Sequence, residues 1–263
     1  MSLRGPPEVF AREVRPRLLA APAELILDAL PPLQPQMRFL EVGAGGAVVA
    51  RPLLERIAGL GRLVAIDDDV DLACALPNAP KRAARAVAGF PQLPFAADVF
   101  DVAIANLVLG EVSKDGPRLA ELRRVLRTRG VLVATVALRG SFDHLFEILA
   151  EACVAASLLQ LHATTLQAKA ALPDEDALVQ RLTSAGYVVS QPGVEERLLC
   201  LVDGKGLLND PLVTEILLPS LLGVPLPDSA QGALARALDS RFPAGMPLIV
   251  RTGIVSARVE KNR

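Results

Sequence analysis

The stretch that most constrains this chain is Arg38-Phe-Leu-Glu-Val-Gly-Ala-Gly-Gly-Ala-Val-Val-Ala-Arg51. Phe39, Leu40 and Val42 read as a short buried strand, and Gly43, Gly45 and Gly46 as a tight turn. Ala47 to Ile57 carries apolar residues at helical spacing, with Arg51, Glu55 and Arg56 for solvent. Glycines at such a turn let the backbone take positive φ and let a ligand come close to it. The helix start behind them offers unpaired N–H groups and the positive end of a dipole. The arrangement suits a nucleotide-like ligand. It is not the dinucleotide spacing G-x-G-x-x-G, because Val48 stands where the last glycine belongs. On these residues alone, a turn that merely joins a strand to a helix remains an alternative.

The rest of the first half repeats the pattern. Leu63-Val-Ala-Ile66 is a continuous apolar run of the kind found inside a parallel sheet, and it ends in Asp67-Asp68-Asp69. An acid some 20 residues past a glycine turn is where such folds hold ribose hydroxyls, which makes Asp67 the candidate. Asp68 and Asp69 also read as caps for a helix over 70–76. Ala83 to Val87 reads as a short strand or the helix before it, 89–95 as a loop, and 102–105 as a strand ending at Asn106. Pro117 to Arg127 is amphipathic, with Leu119, Leu122, Val125 and Leu126 buried and Arg118, Glu121, Arg123, Arg124 and Arg127 wet. Gly130 stops it, and 131–137 is a further strand. Short connections between alternating helices and strands predict an α/β sandwich on a mostly parallel sheet. Ligands in such sheets sit at the carboxyl ends of the strands, so Gly43, Asp67, Gly89 and Asn106 should meet at one crevice.

Before the glycine turn, residues 1–36 form an N-terminal helical segment, helical over 8–30 and broken into pieces by Pro16 and Pro22. After residue 137 the pattern predicts a helix over 141–161 and another over 177–185. Strands at 187–190 and 195–202, helices over 210–222 and 229–242, and a last strand over 246–257 follow. No linker divides the chain, which predicts one domain over 1–263.

Composition narrows the function classes. Of 263 residues, 51% are hydrophobic, enough to bury a sizeable core. A formal charge of −1 argues against general nucleic-acid binding, and 3% aromatic residues with no Trp argue against a base-stacking surface. No apolar run has the length of a membrane span, and Met1 to Phe10 has prolines and charges where a signal peptide has an apolar stretch. Cys74, Cys153 and Cys200 stand in apolar contexts and read as buried reduced thiols, which predicts a cytoplasmic location. His144 and His162 have no metal-ligand spacing, so no metal is expected. Without G-x-S-x-G a hydrolase of that type lacks its nucleophile.

Three stretches in this order resemble one family. They are Glu41-x-Gly43-x-Gly45-x-Ala47, Leu93-Pro-Phe-Ala-Ala-Asp-Val-Phe-Asp-Val-Ala-Ile-Ala-Asn-Leu-Val-Leu109, and Leu122-Arg-Arg-Val-Leu-Arg-Thr-Arg-Gly-Val-Leu-Val133. Together they are similar to the class I S-adenosylmethionine-dependent methyltransferases, in the small-molecule branch with an LPF…FD turn, over about residues 38–137. The resemblance implies a three-layer Rossmann-like sandwich and a mostly parallel seven-stranded sheet with a late antiparallel strand. It implies a cofactor-binding core at 38–137, with helices at 203–242 inserted as a cap over the substrate mouth. It implies S-adenosylmethionine as cofactor and a small-molecule or carrier-bound acceptor. Glu41, Gly43, Ala44, Gly45 and Ala47 would surround the methionine part, and Asp67 and Asp68 the ribose. Gly89 and Phe90 would meet the adenine, and Asn106 and Leu107 the methyl end.

The chain also departs from that family. Ala47 replaces the third glycine. Gly89 stands where an acid usually reads the adenine amino group, with Gln92 the only nearby substitute. Gly110-Glu111 stands where a histidine is common. These departures carry a second expectation, a catalytically inactive scaffold or regulatory protein with a protein partner and a decayed cofactor site.

Overall fold

The computed structural model describes residues 3, 5–57, 59, 61–75 and 82–261, so the expected helix end at Leu76 lies outside the described residues. Eight strands form one sheet: β1 Met37–Val42, β2 Gly61–Asp67, β3 Ala83–Val87, β4 Phe100–Asn106, β5 Leu126–Ala137, β6 Tyr187–Val189, β7 Gly193–Val202 and β8 Met246–Val259. Their order is β3-β2-β1-β4-β5-β8-β6, with β7 also on β8. The β1 to β5 pairings are parallel, and β8 alone runs against its neighbours β5, β6 and β7. The expected seven strands become eight because β8 is 14 residues long. One edge of it takes β7 along Met246–Ile254 and β6 along Ala257–Val259. Strand order reverses at β1, where a crevice opens at the carboxyl ends.

Three segments, Pro7–Val9, Phe10–Leu19 and Ala20–Asp28, follow without a gap and form one helix, α1. The expected breaks at Pro16 and Pro22 are absent. Phe10–Leu19 is wound in wide turns, with the Ala20 N–H bonded five residues back to Arg15, and a wide turn makes room for a ring that an ordinary turn would clash with. The Arg17 and Leu19 carbonyls accept side chains, Arg197 Nη2 at 2.6 Å and Asn106 Nδ2 at 3.1 Å.

The other helices are α2 Ala50–Ile57, α3 Val70–Cys74, α4 Val112–Val125, α5 Asp143–Ala155, α6 Leu159–Ala171, α7 Glu175–Ser184 and α8 Gly204–Asn209. They are followed by α9, made of Leu212–Leu217 and Leu218–Leu222, and α10 Asp228–Arg241. Side chains alternate across a strand, and the two sheet faces separate accordingly. Phe39, Leu63, Val102 and Ile104 pack with Ala23, Ile26 and Leu27 of α1 and Leu53 and Ile57 of α2. Leu40, Ile66, Ala103 and Leu132 pack with Leu122 of α4 and Leu178 and Leu182 of α7. Each such buried leucine or isoleucine contributes about 1.5–3 kcal/mol. A third cluster joins the first half of α1 to α5, α8, α9 and α10 through Phe10, Leu18, Leu149, Leu207, Ile216 and Leu234.

Several expectations change. The helix expected over 141–161 is two, because Ser157 takes φ +58° between α5 and α6, with no Gly or Pro there to announce it. The helix expected over 117–127 begins at Val112 and gives way to extended backbone at Leu126, so Gly130 lies inside β5 and stops nothing. Short α8, capped by Asp203, had no apolar period to reveal it. Cys153 is buried, but Cys200 is half-buried and Cys74 exposed, because α3 is too short to cover it.

Candidate functional site

A cavity of about 310 Å³ lies at the carboxyl ends of β1, β2, β3 and β4. The turn after β1 forms one end. Gly43, Gly45 and Gly46 take φ of +67°, +55° and +75°. A Cβ on Gly43 would stand 2.5 Å from Val108 Cγ2, and one on Gly45 2.8 Å from Leu19 Cδ1, so only glycine fits between turn and walls. Ala47 takes φ +76° with its methyl buried. No backbone shift relieves the replaced glycine; alanine is held in the left-handed region, at a cost of about 1–2 kcal/mol.

The β2 end supplies three carboxylates. Asp67 is buried, its Oδ2 accepting the Gly45 N–H at 3.0 Å and its Oδ1 the Asp69 N–H at 3.1 Å. It therefore ties the glycine turn to β2, while each oxygen keeps a lone pair for a further donor. Burial raises its pKa, the two backbone N–H groups oppose the rise, and Asp68 and Asp69 add to it. Asp69 caps α3, accepting from Asp71 and Leu72 N–H at 2.8 and 3.1 Å. Asp68 stands against Gly89: a Cβ there would be 2.9 Å from Asp68 Cβ and 3.6 Å from its carboxyl carbon. The carboxylate missing at 89 is thus matched in space by one from β2. Gln92 is exposed and off the cavity wall.

Asn106 and Leu107 end β4. The Asn106 side chain points inward, donating to Leu19 O and accepting from Thr135 Oγ1 at 2.7 Å. Leu107 takes φ +55°, held by its N–H to Thr135 O and Oγ1, each at 3.1 Å. Non-glycine residues in that region persist where surroundings over-determine them, often at ligand sites. Beyond Leu107, a hollow of about 10 Å³ is lined by Leu3, Leu107, Leu109, Gly110, Ala137 and Leu172, with no titratable side chain.

Glu41 lies behind the turn and not on the cavity wall. Its parity along β1 sends it to the face that α1 and α2 cover. It is 1% exposed, and neither carboxylate oxygen has a hydrogen-bond partner. Burial first and then Asp67 push its pKa up to about 8, opposed only by the Val49 N–H, which falls short of hydrogen-bonding geometry. Ala44 and Ala47 are likewise buried in the core behind the turn. Gly43, Gly45, Asp67, Asp68, Gly89, Phe90, Asn106 and Leu107 do meet on one cavity.

Sequence reasoning missed two parts of the wall. Phe10 and Leu19 of α1, with Leu3, Gly5 and Pro7 ahead of it, close one side. Arg118, read as part of the wet face, lines the cavity: its Cζ lies 5.6 Å from the Phe90 ring centre, and its Nη1 donates to Val108 O at 3.0 Å and pairs with Glu111 at 3.4 Å. An aromatic at 90 and an arginine one residue past Pro117 gave no joint signal, since nothing in the sequence sets their distance. Among the described residues no group of His, Cys, Asp and Glu is arranged to hold a metal ion, and no helix is long and apolar enough to cross a membrane.

Residues 40–134 match a family model described as a methyltransferase domain. A search of curated proteins finds no match to this sequence. Among solved structures, a geranyl diphosphate methyltransferase in complex with S-adenosylmethionine is similar at 15% identity and a TM-score of 0.53, over 96% of this chain and 89% of that one. An S-adenosylmethionine-dependent methyltransferase from Aquifex aeolicus is similar at 16% identity and a TM-score of 0.52, over 72% of this chain and 92% of that one. The 4+2 cyclase SpnF is similar at 17% identity and a TM-score of 0.53, over 91% of this chain and 80% of that one. At these identities the structural likeness carries the fold alone. Residues 40–134 are thus similar to a methyltransferase domain, and the fold is the one those solved structures share.

Proposed function

We propose, from the premise that residues 40–134 carry a methyltransferase domain, that this chain binds S-adenosylmethionine in the 310 Å³ cavity and transfers its methyl group to a small-molecule or carrier-bound acceptor. The observation that carries the reading is the pairing, on one cavity, of a glycine turn open to a ligand with the carboxylates of Asp67 and Asp68. The residues fit such a ligand. The cavity is at the small end of the usual range of about 300–1,000 Å³, the turn is one that side chains would fill, and carboxylates accept from ribose hydroxyls or an amino group.

When bound, the cofactor supplies an electrophilic methyl on a sulfonium. The chain's own part is positioning, which can take about 7–11 kcal/mol off a barrier at most. Gly43 and Gly45 admit the amino-acid end, Asp67 and Asp68 hold the nucleoside, and Asn106, locked by Leu19 and Thr135, fixes the Leu107 backbone where the methyl would lie. The apolar residues beyond, Leu109, Ala137 and Leu172, exclude water from the acceptor side. Residues 203–242 act as a cap that presses the segment before α1 onto the cavity: a Cβ on Gly5 would overlap Ile216 of α9. Three cysteines free of disulfides support a cytoplasmic setting.

Titration calorimetry with S-adenosylhomocysteine tests the reading, with saturable heat expected. No heat at millimolar ligand sinks the enzyme. The second reading, a binding scaffold without transfer, is favoured by one observation, that Gly89 carries no carboxylate and Asp68 blocks one from being added there.

A further inference from the structure

We propose that β7 is the seam of a homodimer, in which two copies of this chain join their sheets edge to edge. The strands run antiparallel across the seam, with Glu195 of each copy facing Arg197 of the other. The proposal stands apart from the cofactor reading. β7 lies at one edge of the sheet and pairs with β8 alone. Among the described residues, no backbone hydrogen bond reaches its outer side. Such an edge is a template for another strand, and proteins commonly blunt it with lysine or proline. Gly193–Val202 holds neither. Side chains alternate along it, and the face that carries Glu196 also carries Val194 and Leu198, 43% and 52% exposed.

Charge selects the occupant. Among the described residues Glu195 has no cation beside it and Arg197 no acid, and Arg197 Nη2 donates instead to Arg17 O at 2.6 Å. Both are half-buried, and alternation puts them on one face of the strand. The ladder to β8 is regular over 193–198 and shifts register beyond Leu198. A two-fold axis through Glu196 sets Glu195 against the partner's Arg197 twice, and Val194 against the partner's Leu198 twice. Opposite charges and apolar side chains directly across from one another are the pairs that stabilise a sheet. Moving the axis by one residue puts two Glu195 or two Arg197 side chains against each other. The axis at Glu196 does bring two carboxylates together, and each has Arg251 Nε of its own β8 at 3.7 Å. An unrelated strand would have to supply base, apolar and acid in that order, whereas a second copy already carries them.

Sedimentation equilibrium on the parent protein should show the mass rising from one chain toward two between about 1 and 1,000 μM, the range of a small interface. Arg197→Glu sets acid against acid twice and should weaken the dimer about tenfold or more. Val194→Lys should also weaken it. The exchanged double variant, Glu195→Arg with Arg197→Glu, restores opposite charges across the seam and should recover the parent's dimerisation within about threefold. It leaves the bond to Arg17 broken, so recovery separates the seam from any effect on α1. Leu159→Ser, at a leucine 70% exposed on α6, should leave the mass unchanged. A parent that stays a single chain at every concentration overturns the inference, as does a double variant that dimerises no better than Arg197→Glu. Loss of the dimer in Leu159→Ser would place the contact on α6 and overturn it too.

Discussion

Glu41 is the residue whose chemistry is least expected from its neighbours. It stands among the buried apolar residues Phe39, Leu40 and Val42, and its parity turns it into the core beside Asp67. Its folded pKa, about 8, is above the ordinary carboxyl value, so the folded state binds more protons than the unfolded one between the two. Stability should therefore fall as pH rises from about 4.5 toward 8 and level off above. Glu41→Gln keeps the shape and loses the charge. Its melting temperature should match the parent near pH 5 and exceed it increasingly up to pH 8; a difference that does not grow with pH would contradict this account. Asp67 differs, because its oxygens are engaged by Gly45 and Asp69. Asp67→Ala should lose about 1–3 kcal/mol of folding stability and a similar amount of S-adenosylhomocysteine affinity. Denaturant melts and calorimetry on the same protein read both, and an unchanged affinity would remove Asp67 from the ligand.

At the scale of elements, the cavity depends on α1 staying where it is. Arg17 on that helix clamps Asp210 in front of α9 with two hydrogen bonds of 2.7 Å, and Asp210 also accepts the Leu212 N–H at 2.9 Å. The pair is partly buried, with side chains 25% and 13% exposed, so it is worth more than an ordinary surface pair. Asp210→Ala should cost about 1–3 kcal/mol, measured as a drop in the denaturation midpoint. It should also weaken S-adenosylhomocysteine, because Phe10 and Leu19 move with α1. A stable variant with unchanged affinity would show that the clamp does not support the cavity. The long helix itself shows why proline positions mislead. Pro16 breaks an ideal turn, yet a wide turn accepts it, and that turn forms because Val14, Leu18 and Leu19 have a core to enter.

Across the whole molecule, two clusters cover the faces of the sheet and a third lies beside them. The parallel half, β1 to β5 with α1, α2, α4 and α7, is the layered sandwich that carries the crevice. The later half, α5 and α8 to α10, builds a separate apolar cluster against β8 and the start of α1. The cavity sits between them, with the glycine turn and β2 acids from the first and a wall steadied by the second. Exchange of α9 backbone amides with solvent should thus slow when ligand binds, although Arg17, Ile216 and the rest of that interface touch no ligand.

The sequence by itself determined the sheet core and the chain's punctuation. The continuous apolar runs at 63–66 and 102–105, and the largely apolar ones at 39–42 and 131–137, suit strands buried on both faces of a parallel sheet. Glycines at 43, 45 and 46 mark a turn where the backbone takes positive φ three times within four residues. Those signals are local, so Gly43, Asp67, Gly89 and Asn106 were legible as strand ends that meet. Tertiary structure alone decided what lies across from them. The place of Asp68 against Gly89 and of Arg118 over Phe90 is set by packing between segments tens of residues apart, and no period or motif encodes such a distance. Burial of Glu41 behind the turn was decided there too, because a strand residue's parity says which face it takes, while only the helices laid on that face decide whether it keeps its water.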